Sequence, residues 1–491
     1  MTAYRTLEAR SKRVADIHGA LAILGWDSQT MMPRGASEVR GEQLATLQEL
    51  AHEIVTASDV DDLLDEAEDA KGQLDPWQSA NLKKMRLTQQ RACAIDPSLV
   101  SAIAKATNRA EMTWRQARAD ADFKALLPVL DEVFRLERER ANALGEAFSL
   151  APYDALLDCY ELGLRKEAID PIFDRLASFL PVFLDKVLTT QVKPEPIEGP
   201  FSAAQQKKLG QQLMANLGFN FDQGRLDESQ HPFCGGLPDD VRITTRYDEG
   251  ELTSGLMAVL HETGHALYEA GLPKSWRGQP VGGSLGMAIH ESQSLLIEMQ
   301  VCRSEAFLSY LSPQLIEVFG AREAFAPDNL YRDAIWVERG FIRVDADEVT
   351  YPLHVILRYR LEQALLSGDL PLADLPGAWN EGMTDLLGIT PDDDAKGCLQ
   401  DIHWPGGAIG YFPCYTLGAI TAAQLFDAAS KALPTLADDI TKGRFEGLLT
   451  WLRSQIHEQG SRHDMQTLLT QATGSTLSLD PYLAHLERRY A

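Results

Sequence analysis

His261, Glu262 and His265 fall within one run, VLHETGHALYEAG, from Val259 to Gly271. Two imidazoles four residues apart stand on one face of an α-helix, one turn from each other. Both can reach a single tetrahedral cation. Glu262 follows His261 directly and so points beside the ion rather than at it, which suits a base acting on water that the ion activates. This is the spacing of zinc hydrolases. The run also reads as a helix fit to carry such a site. Thr253 or Ser254 can cap it, and Leu256, Val259, Leu260, Leu267 and Ala270 supply apolar positions. Gly271 and then Pro273 stop it.

A catalytic ion needs a third protein ligand and one open position. A third histidine at the metzincin spacing is excluded, since Tyr268 and Gly271 stand where that pattern has glycine and histidine. Glu269 is two turns from His261, about 12 Å along the axis, too far to share a tetrahedral ion easily. The stretch GGSLGMAIHESQSLLIEMQ, Gly282 to Gln300, offers Glu291 and Glu298 on a further helix that Ser284 can cap. Glu291 is preferred. His290, Ser292 and Gln293 make a polar cluster around it on an otherwise apolar helix, and buried polar groups need partners. Glu298 is the alternative, read otherwise as a structural salt-bridge residue.

The elements around these residues read as mostly helical. Helices are expected over Leu7–Leu24, Glu38–Ala57, Pro76–Gln90, Pro97–Leu127, Leu130–Leu144, Pro171–Leu188 (Asp170 as N-cap) and Ala203–Leu217, with a loop over Asp27–Ser37. One strand is expected over Asp240–Tyr247, in DVRITTRY, hence one small sheet. No flexible linker divides the chain, so residues 1–491 are read as one large helical domain whose cleft is lined mainly by residues 231–420.

The 491 residues carry a formal net charge of −25, with 45% hydrophobic and 24% charged residues. No basic cluster offsets that acidity, which excludes nucleic acid and an anionic membrane surface as partners. The uncharged stretch Pro405–Phe426 is long enough to span a bilayer. It holds Pro413 and four glycines and lacks basic flanks, so it reads as buried loop and helix beside a site. The six cysteines form no C-x-x-C pair, and the N-terminus has no apolar signal region; reduced thiols and a cytoplasmic location are expected.

Five motifs together resemble the Taq-type (thermostable) metallocarboxypeptidases. Beside HETGH they are DVRIT (Asp240–Thr244), HESQ (His290–Gln293), IRVDAD (Ile342–Asp347) and GCLQDIHW (Gly397–Trp404), in the family's order. The N-terminal LGWDSQTMMPRGASEVRGEQLATL is similar to the family's opening, with Ser28 in place of its usual glutamine. The resemblance implies a mostly α, cleft-containing fold like that of neurolysin and angiotensin-converting enzyme, with a small β-sheet near the active site. It implies a homodimer and one divalent ion per chain, zinc or in some members cobalt. It implies removal of single C-terminal residues from peptides with a free C-terminus, with broad specificity and proline disfavoured. His261, His265 and Glu291 become the metal ligands and Glu262 the general base.

An exopeptidase must recognise a terminal carboxylate, which the planar fork of an arginine does well. Arg242, Arg246 and Arg343 lie in or beside motifs. The resemblance favours Arg343; the structural alternative is an ion pair with Asp345 or Asp347. It also favours Tyr415 as the oxyanion donor, and His231 and His403 as substrate-contacting histidines. Two rival functions remain: a metal-dependent endopeptidase or dipeptidase using the same site, and a helical binding protein with a vestigial motif. An intact Glu262 argues against the second.

Overall fold

A computed structural model describes residues 2–229 and 232–491. The fold is mostly α-helical with a three-stranded sheet. The chain divides into two compact units, each built from three separate stretches. One comprises Met1–Ala92, Lys193–Ala334 and Gly418–Tyr482; the other comprises Cys93–Val192, Ile335–Leu417 and Leu483–Ala491.

In the first unit, Ala3, Tyr4 and Leu7 of helix Thr2–Thr30 pack with Val60 and Leu64 of helix Val60–Asp69 and with Leu82 and Met85 of helix Pro76–Ala94. The loop expected over Asp27–Ser37 is shorter. The first helix runs on to Thr30, one 3₁₀ turn covers Arg34–Ala36, and the next helix starts at Ser37. Arg40 of the next helix ties the two together, donating to the Leu24 carbonyl at 2.8 Å and to Asp27 Oδ2 at 2.7 Å.

The sheet has the order β1 (Gly224–Glu228), β3 (Asp240–Thr245), β2 (Phe233–Leu237), parallel between β1 and β3 and antiparallel between β3 and β2. The expected strand is thus the central one. Its neighbours GRLDE and FCGGL carry charges and glycines, poor strand formers, so only pairing with β3 makes them strands. Leu226, Val241 and Ile243 pack on Val259 and Ala266, which seats the HETGH helix on the sheet.

In the second unit, helices Pro97–Ala119 and Phe123–Phe148 pack through Ala106, Ala110, Val133 and Leu136. The break between them falls at Asp120–Asp122 rather than at Pro128 as the proline suggested. Ala121 takes φ 53°. Asp122 accepts from the Ala125 N–H and caps the new helix. Pro128 costs one helical hydrogen bond, which burial of Phe123, Leu126 and Leu130 offsets. Likewise helix Lys166–Thr190 begins before Pro171, and Asp170 is no cap: it accepts from Tyr359 Oη at 2.6 Å. At the C-terminus, His485, Arg489 and Tyr490 converge on the buried Glu348 carboxylate at 2.9, 3.0 and 3.1 Å.

Residues Pro405–Phe412 are loop and Pro413–Ala432 is helix, as expected. Among the described residues no helix is long and apolar enough to cross a membrane.

Candidate active site

The HETGH helix spans Thr253–Gly271. Neither Thr253 nor Ser254 caps it; the Glu251 carboxylate does, accepting from the Ser254 N–H at 2.9 Å. Gly271, the last residue of the helix, does not take a positive φ; glycine is needed there for space, since a Cβ would lie 2.5 Å from His457 Nδ1. The second helix starts at Met287, after Gly286, and Ser284 instead bonds to Glu269. It runs to Leu295 and passes into a π-helical stretch, Leu296–Cys302.

Gly264 lets these two helices meet. A Cβ on it would stand 2.5 Å from the Gln293 carbonyl oxygen and 2.6 Å from Ser294 Cα, both backbone atoms that cannot step aside. Gly418 in turn leaves room for Glu291, whose Cβ and Cγ would lie 2.8 Å from an added methyl. Gly264→Ala is expected to cost about 1–3 kcal/mol through overpacking, read as a lower thermal midpoint, because the helices must part to admit the methyl group.

At this crossing His261 Nε2 and His265 Nε2 lie 3.9 and 3.4 Å from the two oxygens of Glu291. One ligand atom from each of the three residues lies within 4.8 Å of the others, a grouping that could hold a metal ion. Ligand bonds of 2.0–2.1 Å at a tetrahedral ion put donor atoms about 3.3–3.4 Å apart, so the three fit a divalent ion with little movement.

The outward nitrogens are also engaged. His261 Nδ1 meets Glu298 Oε2 at 2.9 Å, and Arg303 Nη2 donates to Glu298 Oε1 at 2.9 Å. Glu298 is therefore more than a salt-bridge residue: it backs the imidazole that Glu291 faces. His265 Nδ1 meets His290 Nδ1 at 2.7 Å, and His290 Nε2 meets Glu269 Oε1 at 2.8 Å.

Two buried carboxylates, Glu262 and Glu298, and the half-buried Glu291 surround the imidazoles with Arg303 as counter-ion. Burial pushes the Glu262 carboxyl up to about 7, against the pull of His261. Burial disfavours the charged form of both His261 and His265. At His261 the Glu298 hydrogen bond and the Glu291 charge outweigh it and raise the imidazole to about 10. At His265 burial wins and the imidazole falls to about 4. The carboxylates of the pocket thus favour a positive charge beside them, the electrostatics of a cation site.

In the second unit Arg343 is 4% exposed and pairs with neither Asp345 nor Asp347. Its Nε and Nη2 donate to Asp401 Oδ1 at 3.0 and 2.7 Å, and its Nη1 to Tyr351 Oη at 2.6 Å. Asp347 instead accepts from the Val349 and Thr350 N–H groups ahead of helix Tyr351–Ser367. Arg358 Nε donates to the other oxygen of Asp401 at 2.6 Å. Burial with the two arginines drives His354 down to about 3, and burial drives His403 down to about 4 against the pull of Asp401. Two guanidinium charges therefore share one carboxylate, leaving the cluster one net positive charge. His403 Nε2 is hydrogen-bonded to Tyr415 Oη at 3.0 Å.

Of the other candidates, Arg242 is held by Asp240 at 2.8 Å and stacks on Trp26 in the first unit, and Arg246 is exposed. His231 lies outside the described residues. Asp401 lies within GCLQDIHW and His290 within HESQ, and this motif membership is the signal that the sequence carries for both.

The profile of the carboxypeptidase Taq (M32) metallopeptidase family matches residues 6–490. Thermostable carboxypeptidase 1 of Thermus thermophilus is 38% identical over 504 positions, spanning 100% of this chain and 98% of its own. Carboxypeptidase 1 of Bacillus subtilis is 33% identical, spanning 98% of this chain and 96% of its own. Among solved structures, metallocarboxypeptidase 1 of Trypanosoma cruzi superposes with a TM-score of 0.98 at 40% identity, covering 100% of this chain and 99% of that one. The M32 carboxypeptidase of Deinococcus radiodurans does so with a TM-score of 0.95 at 34% identity and the same coverage.

Proposed function

The chain belongs to the carboxypeptidase Taq (M32) metallopeptidase family, and from that premise we propose that it removes single C-terminal residues from peptides, with broad specificity, at a zinc site held by His261, His265 and Glu291. The observation that carries the reading is the convergence of those three ligand atoms within 4.8 Å, with Glu262 adjacent to one of them. Family membership itself carries peptide hydrolysis and a divalent metal; zinc, the specificity and the residue parts are the reading advanced here. A homodimer and a cytoplasmic location belong to the same reading.

His261, His265 and Glu291 would hold a divalent ion, which would supply a Lewis acid for the peptide carbonyl and lower the pKa of its water toward about 7. Glu262 takes the proton of the attacking water on a carboxylate oxygen and delivers it to the leaving nitrogen. Tyr415, oriented by His403, donates its hydroxyl hydrogen to the carbonyl oxygen as that oxygen gains charge. Arg343 receives the terminal carboxylate, supported by the surplus positive charge of its cluster; His231 and His403 are further substrate contacts. The test is a time course on mixed peptides by mass spectrometry, with and without chelator. The reading requires a ladder shortened one residue at a time from the C-terminus and halted by chelation. Internal cuts, or equal cleavage of C-terminally amidated peptides, would make the enzyme an endopeptidase instead.

Arg343→Ala is expected to cut kcat/KM on free-acid peptides by about 30-fold or more, since an unpaired desolvated carboxylate costs roughly 2–5 kcal/mol. Cleavage of amidated peptides, already poor, should hardly change. Arg343→Lys should restore only part, because a point charge cannot serve Asp401, Tyr351 and a carboxylate together. Equal losses on acid and amide, with a lower melting temperature, would reduce Arg343 to a partner of Asp401.

A further inference from the structure

The two ligand imidazoles are backed differently. Behind His261 stands a carboxylate, Glu298, in direct contact. Behind His265 stands a second imidazole, His290, and the carboxylate comes only after it, as Glu269. We propose that Glu269 and His290 act as a relay that holds His265 in the tautomer and orientation needed to bind the cation, so that Glu269, which is not a ligand, sets the metal affinity. The inference rests on the metal-site reading above.

With Glu269 ionised and His290 neutral, the two hydrogen bonds admit one assignment. A carboxylate can only accept, so the 2.8 Å contact requires a proton on His290 Nε2. A neutral His290 then has a bare Nδ1, which must accept. The 2.7 Å contact between the two Nδ1 atoms therefore requires the proton of His265 to be on its Nδ1. That leaves His265 Nε2 bare, and Nε2 is the atom that faces Glu291 at 3.4 Å. Each contact fixes the next, and the last one presents a lone pair to the cation.

Without the carboxylate the chain loses its direction. His290 can then carry its proton on Nδ1 and donate to His265 Nδ1. The remaining proton of His265 would move to Nε2 and point at the place of the ion. The ring geometry adds constraint: His265 and His290 have centroids 4.7 Å apart, and Tyr268 packs against His290 at 5.2 Å. Partners of this kind behind metal-bound histidines typically change metal affinity 10–100-fold when lost.

The experiment measures Zn²⁺ dissociation constants of metal-stripped protein by competition with a chromophoric chelator. The proteins are the wild type, Glu269→Gln, His290→Leu, His290→Asn and the double variant Glu269→Gln/His290→Asn, with Glu291→Ala as the control for the site. Glu269→Gln keeps shape but can donate as well as accept, so direction is lost; it should weaken Zn²⁺ about tenfold or more. His290→Leu removes the acceptor and should weaken it about 10–100-fold. His290→Asn puts an amide oxygen near the former Nδ1 and should recover most of the affinity. Adding Glu269→Gln to His290→Asn should then change nothing, because the relay is already cut. Melting temperatures of the metal-free variants should match the wild type; additive losses accompanied by lower melting temperatures mean a packing role only and overturn the relay. So does Zn²⁺ affinity within about twofold of wild type in both Glu269→Gln and His290→Leu while Glu291→Ala loses the ion. If Glu291→Ala binds as the wild type does, the ligand assignment fails instead. Should His290→Leu not fold, Glu269→Gln decides alone.

Discussion

Glu262→Gln is expected to retain the bound metal and to lose at least about 10²-fold in kcat, the lower range of what a positioned general base contributes. The side chain is 8% exposed, and burial already pushes its carboxyl up to about 7, so a neutral amide of the same shape is easily accommodated there. An amide cannot take the proton from water. Metal content measured beside steady-state rates separates two outcomes. Activity lost with metal intact supports a base; activity and metal lost together would mean that Glu262 holds the site rather than acts in it.

Glu291→Ala should abolish tight metal binding and with it activity, because three ligands fall to two. Glu298 cannot step in. Its two oxygens are committed, one to His261 Nδ1 and the other to Arg303. Glu298→Ala should do less: it leaves all three ligands and removes only the partner behind His261, a loss of about 10–100-fold in metal affinity. The measurement is metal content after dialysis against a buffer of fixed free Zn²⁺. Full metal in Glu291→Ala with loss in Glu298→Ala would exchange the two assignments.

Much of the site was legible in the sequence because its ordering is local. The four-residue spacing of His261 and His265 puts them on one face of a helix whatever surrounds it. β3 was legible too, since its β-branched residues favour a strand, while β1 and β2 were not. GRLDE and FCGGL carry no such pattern and become strands only by hydrogen-bonding to β3. Prolines misled at 128 and 171, where capping and burial elsewhere outweighed one missing hydrogen bond. Asp345 and Asp347 were the natural partners to suppose for Arg343 because they are near it in sequence; the actual partner, Asp401, is 58 residues away.

The sequence by itself therefore determined the histidine pair on one helical face, the glutamate beside it, the helical class and, through five motifs in order, the family. Tertiary structure alone decided which carboxylate faces the imidazoles and which stands behind them. Glu291 and Glu298 are seven residues apart on helical chain, and the periodicity of an α-helix gives them similar faces. Their separation into facing and backing groups depends on the π-helical stretch at Leu296–Cys302 and on the closeness that Gly264 permits between two helices. The same holds for Glu269 and His290, which are 21 residues apart and meet only across that crossing. Helical phase is set by bonds between near neighbours, and so a sequence carries it. The crossing of two helices is set by contacts between distant residues, and these exist only once the chain has packed.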